Sequence, residues 1–96
     1  MSMNPSKALQ KYLMASYAYY IRYASVMPDA EYDMLAKVLR TAWPYFDHQH
    51  KHLVTLEDLN AGTLFRLKEE DYPMIVKQAA EMWIRKTEEG KQYAGG

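Results

Sequence analysis

The chain has 96 residues, 49% of them apolar and 14% aromatic, and twelve basic side chains balance twelve acidic ones. This composition is too hydrophobic for disorder, and the even charge supplies no overall field to draw the chain onto nucleic acid or an anionic membrane. Cysteine is absent, which removes disulfides and thiolate metal sites and fits a reducing cytoplasm.

No basic-then-apolar leader opens the sequence and no apolar run reaches the ~20 residues of a membrane helix, so one water-soluble cytoplasmic domain is expected. At this size a fold buries only ~60–65% of the surface its unfolded chain exposes. Modest stability follows, and a partner would add to it.

Pro5 and Ser6 mark a helix start, and Leu9, Tyr12, Leu13, Ser16, Tyr20 and Tyr23 recur at three- and four-residue spacing, predicting a first helix over 7–24. Val26, Met27 and Pro28 interrupt it, because proline disfavours a helical residue before it and presets the first turn of the next helix. Asp29, Glu31 and Asp33 load that next turn with negative charge, where free amides and the helix dipole favour it. A second helix over 29–42 is expected to bury Tyr32, Leu35, Ala36 and Leu39.

Trp43 and Pro44 close it, and residues 45–54 show no period. Thr55-Leu56-Glu57-Asp58 has capping-box spacing with aspartate in the third position, and Gly62 is a natural stop for a short helix over 56–61. Thr63-Leu64-Phe65-Arg66-Leu67 alternates weakly, as a strand-like segment or an extended linker would. Lys68-Glu69-Glu70-Asp71 reads as a solvated turn in which Asp71 caps a last helix. That helix carries a core stripe of Tyr72, Ile75, Val76, Ala79 and Trp83, ends at Glu89 before Gly90, and leaves a mobile tail over 90–96. The expected fold is a single all-α domain, a small helical bundle built on an N-terminal antiparallel hairpin over about 7–42 with a C-terminal helical part over about 55–89.

If the first two helices fold back on each other, Tyr19, Tyr20 and Tyr23 approach Asp29, Tyr32 and Asp33. Tyrosine faces attract a cationic ring, carboxylates accept from ribose hydroxyls or a carboxamide, and phenol hydroxyls fix orientation. Packing of a hairpin and stabilisation of a helix start account for the same residues without a ligand.

Residues 13–39, with Tyr19-Tyr20 followed by Asp29-Ala30-Glu31-Tyr32-Asp33, resemble the first subdomain of bacterial NAD-dependent DNA ligases, the helical cap (domain Ia) that holds the nicotinamide half of NAD. The family pattern is Tyr-His, a spacer with aspartate and proline, then Asp-x-x-Tyr-Asp. Here Tyr20 stands for the histidine, Tyr23 for the spacer aspartate and Ser25 for the spacer proline. The resemblance implies binding of NAD or nicotinamide mononucleotide by Tyr19, Tyr20, Asp29, Tyr32 and Asp33. It does not imply catalysis, because no lysine here lies in the Lys-x-Asp-Gly setting of the ligase nucleophile. The segments His48-Gln49-His50-Lys51-His52-Leu53, Asp58-Leu59-Asn60-Ala61-Gly62 and Asp71-Tyr72-Pro73 also resemble small ligase-like bacteriophage proteins. That likeness implies a free-standing accessory protein in the host bacterial cytoplasm.

His48, His50 and His52 alternate, so an extended segment would point all three one way, toward zinc or nickel. A solvated loop is the commoner outcome, since structural zinc usually takes four protein ligands. Trp43, Tyr45 and Phe46 around Pro44 either plug the bundle's open end or form an aromatic anchor for a partner such as a host bacterial protein, for which the histidine loop is the alternative surface.

Overall fold

The structure is a computed structural model describing residues 4–64 and 66–95, with side chains of the last helix described as far as Glu88. The first helix, α1 (Pro5–Ser16), starts before its apolar pattern does: Asn4 Oδ1 accepts from the Ser6 amide at 2.8 Å, and Pro5 supplies a preset φ. Ala8, Leu9, Tyr12, Leu13, Ala15 and Ser16 are buried along it.

The register then changes. Tyr17–Ile21 form a π turn, which winds one extra residue into the helix. Two residues beyond it Tyr23 takes a left-handed φ of 55°, while the Ala24 amide reaches back to the Ala18 carbonyl at 2.8 Å. One inserted residue turns the following face by about 100°. Tyr17 is therefore buried, Tyr20 half-buried, and Tyr23 is 90% exposed. The expected helix over 7–24 with Tyr23 in its core stripe is corrected accordingly.

After Pro28, α2 (Asp29–Ala42) occupies the expected span, burying Leu35, Ala36 and Leu39 with Tyr32 half-buried. Pairings step down α1 as they step up α2: Tyr20 lies near Asp29, Ser16 bonds Tyr32, and Lys11 flanks a hollow with Leu35. The two helices are thus an antiparallel hairpin.

A 3₁₀ turn at Trp43–Tyr45 follows. Lys51 Nζ donates to the carbonyls of Trp43 (2.5 Å) and Phe46 (2.8 Å) and lies 5.0 and 4.9 Å from the centres of their rings. This clamp holds the turn shut with Trp43 and Phe46 half-buried, leaving Tyr45 84% exposed.

The capping box forms as expected: Thr55 Oγ1 accepts from the Asp58 amide at 3.1 Å and Asp58 Oδ2 from the Thr55 amide at 2.9 Å. It starts α3 (Leu56–Ala61), which Gly62 ends at φ 72°. Asp58 also takes a bidentate pair from Arg66, at 2.9 and 2.6 Å for the shorter contact of each nitrogen.

Among the described residues no strand is present. Leu64 and Leu67 instead anchor a turn in the core, and Phe65, part of the expected strand-like segment, lies outside the described residues. Asp71 does not cap the last helix. Its carboxylate accepts from the Lys68 amide at 2.9 Å and closes a 3₁₀ turn, Glu69–Asp71.

The last helix, α4 (Met74–Gly95), takes its first bond from the Lys77 amide to the Pro73 carbonyl at 3.1 Å. Its buried stripe is Val76, Ala80 and Ile84, continued by Tyr72 just before the helix, with Ile75 exposed and Ala79 and Trp83 half-buried. α4 continues through Gly90, where helix and a tail over 90–96 were expected to part, and Gly96 lies outside the described residues. Glycine weakens a helix interior by about 1 kcal/mol relative to alanine, which need not stop one.

The core gathers Leu9, Leu13, Leu35, Leu39, Leu59, Leu64, Tyr72 and Val76 from all four helices and the linker. The protein is an all-α bundle, and among the described residues no helix is long and apolar enough to cross a membrane.

Candidate functional site

The π turn and the start of α2 leave a hollow of about 260 Å³ between them, lined by Tyr19, Tyr20, Asp29, Tyr32 and Asp33 together with Ala15, Ser25, Val26, Met27 and Gly62. All five residues singled out in the sequence therefore meet at one place. Asp29, Tyr32 and Asp33 do so because positions three and four apart share a helix face. Tyr19 and Tyr20 are consecutive, and the π turn brings both to the hollow, with ring centres 5.0 Å apart at 57°.

Tyr32 does not offer its hydroxyl to this space. Its ring stacks on Tyr12 at 4.5 Å and 16°, and its hydroxyl lies 2.7 Å from Ser16 Oγ. Ser16 spends its own hydrogen on the Tyr12 carbonyl at 2.6 Å, so the phenol must donate to Ser16. Burial and the neighbouring Tyr12 push the Tyr32 pKa far above its ordinary value, against the pull of the Ser16 bond. Only the flank of the ring remains for an occupant.

Tyr20 is half-buried; burial raises its pKa, the Leu64 backbone opposes this, and Tyr19 and Asp29 add to the rise. It is a neutral phenol at physiological pH. Tyr19 is 52% exposed and available. Among the described residues, neither Asp29 nor Asp33 makes an ion pair or a side-chain hydrogen bond, and both are exposed. Neither caps α2 through a side-chain bond, and Asp29 lies in its first turn, where the helix dipole favours a carboxylate.

A second hollow of about 380 Å³ adjoins the first, sharing Tyr19, Ser25 and Asp29 and adding Tyr23 and Ala24. Ser25 Oγ donates to the Met27 carbonyl at 3.1 Å, holding the crossing segment. Sequence reasoning missed Ser16, Met27 and Gly62. A serine inside an apolar helical stripe was the one available signal, for it needs a partner when buried.

The histidine segment folds as a loop and a 3₁₀ turn at Lys51–Leu53. His48 Nδ1 accepts from the His50 amide at 3.0 Å and His48 Nε2 lies 3.4 Å from Gln10 Nε2, while His52 is exposed. Burial, then His48 and His52, lower the pKa of His50. Among the described residues no group of three His, Cys, Asp or Glu side chains is placed to hold a metal ion. His48, His50 and His52 lie in a turn, without the alternation the metal reading needs.

No protein family, curated protein or solved structure matches this chain.

Proposed function

We propose that the protein is a non-catalytic module that binds the nicotinamide end of NAD or nicotinamide mononucleotide. The observation that carries this reading is the convergence of Tyr19, Tyr20, Asp29, Tyr32 and Asp33 on one hollow, with both carboxylates unbonded among the described residues. Tyr19 and Tyr20 stack on the ring, and Asp29 with Asp33 accept from ribose hydroxyls or the carboxamide. The hollow of about 260 Å³ falls just short of the ~300–1,000 Å³ of sites that enclose a whole small molecule. A ring with its ribose fits, and the remainder of a dinucleotide lies outside.

The sequence has no Lys-x-Asp-Gly motif, so the role is one of binding, in keeping with the resemblance to small ligase-like bacteriophage proteins acting in a host cytoplasm. Amide NMR shifts during titration with nicotinamide mononucleotide to millimolar concentration test the reading. Shifts should cluster at 15–33 and be lost in Asp33→Ala; an unchanged spectrum refutes it.

A second reading rests on Tyr45, which stands 84% exposed beside the Lys51 clamp. In that reading the chain is an interaction module that docks on a host bacterial enzyme through Trp43, Tyr45 and Phe46 without binding nucleotide. Affinity capture from bacterial lysate should then enrich one enzyme reproducibly and lose it with Tyr45→Ala, and capture that Tyr45→Ala leaves intact refutes it.

A further inference from the structure

We infer that the hollow selects its occupant by positive charge, taking the quaternised nitrogen of an organic cation while any phosphate the ligand carries stays outside and adds no affinity; this rests on the proposed nicotinamide site and narrows it. Taken together, the two adjoining hollows are lined by the carboxylates Asp29 and Asp33 and the rings of Tyr19, Tyr20, Tyr23 and Tyr32, and by no lysine, arginine or histidine. Arg22, the basic residue nearest in sequence, is turned away into an ion pair with Glu81 of α4.

A phosphate drawn to this place would face two like charges with no cation to offset them. Repulsion over a few ångströms is not removed at physiological salt, where screening sets in over ~8 Å. A quaternised nitrogen meets the opposite situation. It donates no hydrogen bond to water, so it leaves solvent readily, and tyrosine faces attract it through the ring quadrupole. The two carboxylates add a field of the right sign.

The left-handed backbone at Tyr23, φ 55°, belongs to the same arrangement. It turns the chain so that Tyr23 and Tyr19 flank Asp29 around the outer hollow. Four tyrosines and two carboxylates around adjoining hollows have the composition of a cage for a cation. Sites of that kind recognise pyridinium and tetraalkylammonium groups alike.

The test is a set of NMR titrations of the full chain at low salt with four probes: the 1-methylnicotinamide cation, neutral nicotinamide, nicotinamide mononucleotide and tetramethylammonium. The cation should bind about tenfold more tightly than neutral nicotinamide, as expected for a ring-face contact reinforced by carboxylates. That advantage should shrink in Asp29→Asn/Asp33→Asn, whose exposed substitutions leave the thermal transition in place. Nicotinamide mononucleotide should bind no more tightly than the methylated cation.

If neutral nicotinamide binds as tightly as its cation, or the phosphate strengthens binding, charge selection is overturned while the nicotinamide reading stands. Tetramethylammonium binding without 1-methylnicotinamide binding would keep charge selection and remove the nicotinamide reading. No shift with any probe would overturn both.

Discussion

Replacing Tyr23 by glycine should stabilise the protein, although it deletes a large aromatic side chain. Tyr23 holds φ 55°, and its side chain is 90% exposed. A non-glycine residue in the left-handed region costs about 1–2 kcal/mol. Glycine removes that cost but loses more backbone freedom on folding, about 0.5–1 kcal/mol. With so little of the ring buried, its removal sacrifices almost no packing, and the balance is a gain of about 0.5–1 kcal/mol. For a domain of this size that corresponds to a rise in Tm of roughly 2–8 °C. Thermal unfolding followed by far-UV circular dichroism measures it, with Tyr23→Ala as the control, since alanine keeps the Cβ that creates the strain. A Tm that fails to rise with glycine, or rises equally with alanine, refutes the argument.

Ser16→Ala should destabilise by about 1–3 kcal/mol in urea unfolding, because it strands the Tyr32 hydroxyl. Adding Tyr32→Phe should recover part of that loss, and simple additivity of the two would contradict the hydrogen bond. Tyr32→Phe alone should leave affinity for any occupant of the hollow unchanged, because the hydroxyl is bonded to Ser16; a large loss would show that the phenol faces the ligand. Gly62→Ala should cost about 1 kcal/mol from the left-handed conformation alone, since an added Cβ meets nothing within 4 Å; a calorimetric midpoint equal to that of the parent would contradict this.

Burial raises the Asp58 pKa, but Arg66 and the Thr55 cap outweigh it and hold the carboxyl below the usual range. The folded pKa is depressed, so this stabilisation is present above the ordinary carboxylate pKa of ~4 and is lost as pH falls below it. Asp58→Asn should lower the urea midpoint at pH 7 and flatten its decline below pH ~4. An undiminished acid decline in the variant would refute that assignment.

The sequence by itself determined the elements whose signals are local. Pro28 and the acids after it start α2, and Thr55, Asp58 and Gly62 bracket α3, because each acts through backbone groups within one turn of itself. Asp29, Tyr32 and Asp33 were legible for the same reason, since helical spacing places them on one face whatever lies opposite, whereas Tyr19 and Tyr20 reach the hollow only through the π turn.

Tertiary structure decided everything that depended on what lies opposite. Ile75, Val76, Ala79, Ala80, Trp83 and Ile84 permit more than one apolar stripe on α4, and packing against Tyr17 and the core selects the one through Tyr72, Val76, Ala80 and Ile84. Asp71 precedes α4 closely enough to read as its cap, yet its carboxylate takes the Lys68 amide instead. The π turn has no composition of its own in Tyr17-Ala18-Tyr19-Tyr20-Ile21, yet it buries Tyr17, exposes Tyr23 and opens the hollow. A one-residue change of register leaves local propensity almost untouched, and only the fit of side chains against neighbouring helices distinguishes one register from the other.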